Sequence, residues 1–414
     1  MTDLHLTYGL VGGLALVLAL LSRRMRELPF SEPLLALALG VALGPYVLGA
    51  VDMTEEVRDF VLLEGGRLIV AISVMGAALR FPASHLPRIA RPVAILLLVV
   101  MPLAALISGA SALVLGLPLA LVALLGACLC PTDPVLAGSI VSGKPAERDL
   151  PARVRHTLSV ESGINDGLAL PLVAVAVAVV LPATSPGAEV GRIAWEVLGS
   201  ILIGGVGGAL AALGVRIAAK DHDLEPAPNL ILTVLLAVAV LGLGRAASTD
   251  GILGVFVAGT IYNSLVTGKE REPQQGIDEA VNRYLSLPLF LALGLALPWS
   301  EWAAFGPAAV GFVVLVLVLR RLPVVLALAR PLGLRTRDAM FLGWFGPMGA
   351  SSIFYLAHSV DKGVTEPAFF AAGTLMIAAS IVAFGVTSSP GRQLYARAAT
   401  SQDDVEQRAE ADRH

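Results

Sequence analysis

Apolar runs near the thickness of a lipid bilayer recur along almost the whole chain, separated by proline, glycine and short charged stretches. A helix of about 20 apolar residues crosses the hydrocarbon core of a membrane. Only 15% of the residues are charged, whereas an ordinary soluble domain has roughly 25%. This pattern excludes a soluble enzyme and predicts an all-α polytopic membrane protein.

The runs predict about thirteen transmembrane helices, at roughly 20 residues for each crossing. The transmembrane domain is expected over residues 1–398, and a polar, disordered cytoplasmic tail over 399–414. The start of the chain has no basic segment, which favours an uncleaved first span over a signal peptide. The spans are placed at 6–22, 33–50, 60–79, 92–115, 118–141, 156–181, 193–219, 228–245, 251–267, 284–298, 305–329, 338–358 and 365–388.

Loop charges support this count independently. Arginine and lysine clusters follow each odd-numbered span, while the alternate loops are mainly acidic. Because basic loops stay in the cytoplasm, the protein is predicted to lie in the cell membrane with its amino terminus outside the cell and its carboxyl terminus in the cytoplasm. A missed or invented span would disrupt the alternation.

Other features exclude several functional classes. The net charge is −3 and there is no basic tract interleaved with aromatic residues, so no nucleic-acid partner is expected. The only cysteines, Cys128 and Cys130, lie in an apolar run and predict no disulfide framework. Phosphate-binding and intramembrane-hydrolase motifs are absent from the sequence. We therefore expect neither a cofactor nor enzymatic activity.

The fifth span contains an acid between two prolines, in the order Pro131, Thr132, Asp133, Pro134. Each proline lacks an N–H and obstructs a continuous helix, so the span should unwind where it lines a cavity or is buried. The alternative is a proline kink in which Asp133 caps a half-helix. A cap and an ion site are compatible, because the acid can offset the helix dipole while freed carbonyls bind a cation.

The sixth span opens with four polar side chains at helical spacing. Glu161 and Asn165 share one face, and Ser162 and Asp166 share the adjoining strip. Their oxygen atoms are hard ligands suited to an alkali cation. The alternative places them, solvated, in the cytoplasmic loop.

A second interruption is predicted at Pro347, inside a glycine-rich segment at 343–352. The alternative is that its small residues simply permit close helix packing. Seven positions separate the two interrupted spans in the count, so they face opposite ways. The pattern predicts inverted repeats whose two unwound helices cross at the site of a secondary transporter.

Two adjacent arginines, Arg320 and Arg321, fall inside span eleven. A charged side chain in the membrane needs a partner, and Glu161 is the natural one for either arginine. The alternative is that both arginines extend to the cytoplasmic interface.

These motifs together resemble those of the monovalent cation–proton antiporters, in the sodium/proton exchanger branch. The sequence Thr-Asp-Pro-Val-Leu-Ala at 132–137 is followed by Ser-Ile-Val at 139–141 and Glu-Ser-Gly-Ile-Asn-Asp-Gly at 161–167. The segment Gly-Trp-Phe-Gly-Pro-Met-Gly at 343–349 is similar to that of the fungal plasma-membrane subgroup and its bacterial relatives.

The resemblance implies which residues bind the ions. Asp166 would carry the cation or the proton, and Thr132 and Ser162 would coordinate the cation. Asn165 stands where electrogenic relatives have a second aspartate, which implies electroneutral one-to-one exchange. A homodimer is also implied.

The resemblance further makes Asp133 the acid of the unwound helix and pairs Glu161 with an arginine. Many exchangers carry that arginine in the glycine-rich segment, but Met348 occupies the corresponding position here. Arg321 or Arg320 is therefore expected to compensate the charge of Glu161.

The predicted mechanism is competition between one cation, Na⁺ or also Li⁺ or K⁺, and one proton at Asp166. Burial favours the protonated carboxylate, whereas a bound cation favours the ionised one. A cation channel or a proton-coupled solute transporter on the same scaffold is the alternative, and exchange that is independent of membrane potential would distinguish the antiporter.

Overall fold

The computed structural model describes residues 30–79, 86–141, 143–181, 186–221, 226–249, 251–266 and 285–411, with scattered positions between 9 and 20. Every regular element in these ranges is helical. The helices are α1 Glu32–Leu43, α2 Glu55–Leu79, α3 86–115, α4 Leu119–Leu129, α5 Pro134–Val141, α6 Gly143–Asp149, α7 Ala152–Val180, α8 Pro186–Asp221, α9 Pro226–Ala246, α10 Ile252–Leu265, α11 Leu287–Leu295, α12 Trp299–Ala304, α13 Pro307–Leu319, α14 Leu322–Ala327, α15 Ala329–Leu332, α16 Thr336–Trp344, α17 Ala350–Asp361 and α18 Pro367–Ala411.

The helices account for the predicted spans. Within the described ranges, seven helical stretches are long and apolar enough to cross a membrane, and α1, α9 and α10 are shorter apolar helices. The twelve predicted spans from 33–50 onward all coincide with helices, whereas the first, at 6–22, lies mostly outside the described residues. The all-α polytopic architecture is therefore confirmed.

Helix α18 extends farther than the sequence pattern predicted. It continues through Ala411, across most of the segment that was expected to be a disordered tail. The residues from 399 to 411 include several alanine, glutamate, glutamine and arginine residues, which have high helix propensity even where they bury no apolar face. The cytoplasmic location of this polar tail stays a prediction.

Both predicted interruptions are present, and they contact each other. Helix α4 ends at Leu129 before α5 begins, and α16 ends at Trp344 before α17 begins. The N–H of Asp133 donates to the carbonyl of Pro347 over 2.8 Å. A Cβ atom at Gly346 would lie 2.5 Å from Arg321 Cδ and 3.2 Å from the Thr132 side chain, so the glycine leaves room for both side chains at the crossing.

Helix α7 runs through the centre of the protein beside this crossing. It packs against α2, α4, α5, α10 and α17. One close approach is at Gly163, where an added Cβ would lie 2.3 Å from the Ala77 side chain. The fold thus places the polar residues of α7, in the interior of that helix, against the two broken helices.

Candidate functional site

The polar residues of α7 are buried and helical. Glu161, Ser162, Asn165 and Asp166 all lie within the helix and are at most 1% exposed. This placement excludes the alternative of a solvated loop. Buried polar groups require hydrogen-bond or ionic partners, so the partners of each side chain define what it can do.

Asn165 ties α7 to the first unwound segment. Its amide nitrogen donates to Thr132 Oγ1 over 2.6 Å and to Glu161 Oε1 over 3.0 Å, and its amide oxygen accepts from the Thr132 N–H over 3.3 Å. The Thr132 hydroxyl also donates to Glu161 Oε1 over 3.4 Å. The three side chains therefore form one buried network.

Glu161 is paired with Arg321. The two terminal nitrogens of the guanidinium contact the two carboxylate oxygens over 2.8 and 2.9 Å, and Arg321 Nε donates to the Leu342 carbonyl over 2.8 Å. Both side chains are buried, so Arg321 does not extend to the membrane interface. A bidentate geometry of this kind compensates two charges that water cannot reach.

Arg320, the other candidate partner of Glu161, contacts main-chain carbonyls instead. It donates to the Gly346 carbonyl over 2.9 Å and to the carbonyls of Cys130 and Pro131 over 3.0 and 2.9 Å. These carbonyls lie where α16 and α4 end, and helix carboxyl ends carry partial negative charge. Arg320 therefore stabilises the crossing itself, and of the two candidate partners only Arg321 contacts Glu161.

Asp133 accepts hydrogen bonds from main-chain N–H groups at the amino ends of two helices. Its Oδ1 accepts from the Leu136 N–H over 2.8 Å at the start of α5, and its Oδ2 accepts from the Ser351 N–H over 3.4 Å at the start of α17. Negative charge is favoured at helix amino termini. The capping alternative is thus realised at both half-helices, and both oxygens of Asp133 are engaged with protein.

Asp166 is different from the other acids. It is fully buried, and neither carboxylate oxygen has a hydrogen-bond partner among the described residues. Its main-chain carbonyl accepts a hydrogen bond from the Tyr355 hydroxyl. Asp133 and Glu161 lie near enough to interact with the carboxylate electrostatically, and the Ser351 side chain lies within interaction range of it. An ionised carboxylate in this position needs a cation or a proton to neutralise it.

The remaining predicted ligand, Ser162, lies on α7 one turn before Asp166. Its hydroxyl donates to the Ser159 carbonyl over 3.2 Å, so in this structure it is engaged with its own helix. Met348, at the position where the resemblance places an arginine in many exchangers, is buried, and its N–H donates to Ser380 Oγ over 2.8 Å.

Two residues near Asp166 were missed by the sequence analysis, namely Ser351 and Tyr355. Ser351 was noticed only as a small residue of the glycine-rich segment. The available signal was their spacing, because positions four apart share a helix face.

A further buried arginine, Arg67 of α2, lies apart from this site. Arg67 pairs with Glu64 and places its guanidinium over the Phe354 ring, 5.3 Å from the ring centroid. His358 also packs against Phe354, and the centroids of their rings are 5.6 Å apart. This cluster is built on α2 and α17 and contributes no ligand to Asp166.

A polytopic helical protein with a buried carboxylate beside two crossing, unwound helices has the architecture of a secondary transporter. Residues 12–391 match the family described as "Sodium/hydrogen exchanger, transmembrane". The chain belongs to the sodium/hydrogen exchanger family, as its motifs indicated.

Similar proteins include "Na(+)/H(+) antiporter 2" of Zygosaccharomyces rouxii, which is 30% identical over 85% of this chain and 46% of its own length. The "Na(+)/H(+) antiporter" of Saccharomyces cerevisiae is 30% identical over 88% of this chain and 38% of its own length. This chain therefore spans less than half the length of these two relatives.

The fold is shared with the sodium proton antiporter MjNhaP1 from Methanocaldococcus jannaschii, whose structure at pH 8 superimposes with a TM-score of 0.75. The two chains are 18% identical, and the match covers 95% of this chain and 98% of the other. The likeness confirms the antiporter fold expected from the interrupted spans.

Proposed function

We propose that this protein exchanges a monovalent cation for H⁺ by competition between the two ions at Asp166. The observation that carries the proposal is the fully buried carboxylate whose two oxygens have no hydrogen-bond partner among the described residues. Na⁺ is the proposed cation, with Li⁺ and K⁺ as further candidates. Membership of the sodium/hydrogen exchanger family and the names of the two yeast relatives support this choice.

The surrounding charges support a one-to-one exchange. Around the crossing, the described side chains include three acids, Asp133, Glu161 and Asp166, and two cations, Arg320 and Arg321. The difference is one negative charge, and one Na⁺ or one H⁺ neutralises it. An uncompensated buried charge costs several kcal/mol, so the site changes its exposure to the two sides of the membrane only when it is loaded.

The contacts also distinguish side chains that are bound to other protein groups from the one that remains available for an ion. Asp133 and Arg320 hold the half-helix ends, and Arg321 holds Glu161. Thr132 and Asn165 connect this framework to α7. Asp166 is left to bind the transported ion, and relative motion of the repeat-built bundles around it would provide alternating access.

The proposed setting follows from the loop charges and the family resemblance. The protein would lie in the cell membrane with its amino terminus outside and its carboxyl terminus in the cytoplasm. It would function as a homodimer. Opposite accessibility of cysteine tags at the two termini would test the orientation.

The experiment uses everted membrane vesicles with an internal acid load reported by a pH-sensitive dye. Adding Na⁺, Li⁺ or K⁺ should dissipate the gradient in the parent protein and should not do so in Asp166→Asn. Asp361→Asn is the matched control, because Asp361 is exposed at the end of α17. Exchange that survives in Asp166→Asn would refute the proposed site.

Electroneutrality has its own test. Clamping the membrane potential across the range used in the assay should leave the exchange rate unchanged. A rate that follows the potential would show unequal numbers of protons and cations, and a cation current without proton movement would identify a channel.

A further inference from the structure

Ser351 occupies a distinctive position in the first turn of α17. It is fully buried, and its main-chain N–H donates to Asp133 Oδ2 over 3.4 Å. Its side-chain hydroxyl, however, has no hydrogen-bond partner among the described residues. Leaving a buried hydroxyl unsatisfied is unfavourable, so this oxygen is available to a ligand.

The fold directs this face of α17 toward Asp166. Tyr355, four residues after Ser351 and on the same helix face, donates its hydroxyl to the Asp166 main-chain carbonyl. The Ser351 side chain itself lies within interaction range of the Asp166 carboxylate, although neither side chain makes a hydrogen bond of ordinary geometry. Two oxygen-bearing side chains from different helices, neither of them hydrogen-bonded among the described residues, therefore lie within interaction range of each other.

We infer that the Ser351 hydroxyl coordinates the transported cation together with the Asp166 carboxylate. The inference rests on the proposed function and adds to it a ligand from the second broken helix. A hydroxyl oxygen is a hard, neutral donor suited to an alkali cation. It adds no charge, so the one-to-one balance around the crossing is preserved.

The same hydroxyl serves the proton-loaded state. When Asp166 carries a proton, the carboxylic acid can donate a hydrogen bond to Ser351 Oγ. Ser351 thus has a partner in either loaded state. Because Ser351 belongs to α17, an ion or a proton at Asp166 connects α7 directly to one of the broken helices.

Ser351→Ala tests the inference, with Ser352→Ala as the matched control. Ser352 is the same residue type, is also fully buried and also has an unsatisfied hydroxyl, but it points about 100° around the helix from Ser351. Losing a ligand to a charged species should raise the KM for Na⁺ about tenfold in Ser351→Ala. The maximal rate of Ser351→Ala should stay within about twofold of the parent value. Both the KM and the maximal rate of Ser352→Ala should also stay within about twofold, because this variant loses no ion contact.

A second readout does not depend on transport. Thermal unfolding of the purified protein should be shifted upward by Na⁺, because a ligand that binds the folded state stabilises it. Ser351→Ala should require about tenfold more Na⁺ than Ser352→Ala for the same shift. Ser351→Cys keeps the shape of the side chain but loses the oxygen, so it provides the same test if the alanine variant does not fold.

The outcomes separate this inference from the proposed function. If Asp166→Asn loses exchange but Ser351→Ala and Ser351→Cys keep the parent KM, Ser351 is not a ligand although the site stands. A fall in maximal rate with an unchanged KM would also overturn the inference, because it would indicate a role in motion alone. Exchange in Asp166→Asn would instead contradict the site as a whole.

Discussion

Replacing Arg321 with glutamine should destabilise the protein strongly. The Glu161 carboxylate is 1% exposed and would lose two charged hydrogen bonds of 2.8 and 2.9 Å, and the Leu342 carbonyl would lose one of 2.8 Å. Removing one partner of a buried ion pair costs about 3–5 kcal/mol, because the remaining charge is left uncompensated. We expect the free energy of unfolding of Arg321→Gln to fall by this amount.

The assay is thermal unfolding of the purified protein in detergent for Arg321→Gln, Glu161→Gln and the double variant. The double variant should lose much less than the sum of the single losses, because no isolated charge remains in it. Arg148→Gln is the control. Arg148 also contacts a carboxylate, that of Asp149, over 2.8 Å, but it is 76% exposed, so its replacement should leave the melting temperature unchanged.

Two results would refute this reasoning. Additive losses in the double variant would show that Glu161 and Arg321 do not depend on each other. An Arg321→Gln variant as stable as Arg148→Gln would show that the pair is not buried as described.

Two further predictions concern the crossing of the broken helices. Arg320→Gln should lower both the melting temperature and the exchange rate, since carbonyls at the ends of two half-helices lose a charged donor; thermal unfolding and the vesicle assay measure the two effects, and an unaltered protein would contradict the role given to Arg320. Gly349→Ala should abolish exchange or folding, because the new Cβ would lie 2.8 Å from Asp133 Cγ. Gly311→Ala is its control, since no neighbouring atom lies within 4 Å of a Cβ there, and equal effects of the two substitutions would contradict the close approach.

Hydropathy and proline placement were sufficient to predict most of the architecture. The bilayer sets the length of an apolar helix, and proline removes a backbone donor wherever it stands. Both constraints are local, so they can be read from short segments. The interruptions at Asp133 and Pro347 were predicted for this reason, and their direct contact follows from the fold.

The choice between Arg320 and Arg321 could not be made from the sequence. The two residues are adjacent, and their directions are set by the break between α13 and α14, where the backbone of Arg321 leaves the helical conformation. One side chain consequently turns to Glu161 and the other to the carbonyls of the crossing. Only the tertiary arrangement distinguishes them.

The sequence could not show the contacts of the smaller polar residues either. Ser162 stays a predicted cation ligand, and its hydroxyl donates to the Ser159 carbonyl, which leaves the lone pairs of the oxygen for a cation. Ser351 was not singled out in the sequence, and its unsatisfied hydroxyl lies within interaction range of Asp166. A serine can bond to the preceding turn or to a distant group, and its sequence neighbours do not decide between these alternatives.

The most direct test of competition at Asp166 is the initial rate of Na⁺-driven proton release in proteoliposomes, measured against Na⁺ concentration at several pH values. If one proton and one Na⁺ exclude each other at one site, the KM for Na⁺ should rise about tenfold for each unit of acidification once the site is mostly protonated. The maximal rate at saturating Na⁺ should stay constant. A maximal rate that falls with acidification while the KM is unchanged would show that the two ions do not compete for the same carboxylate.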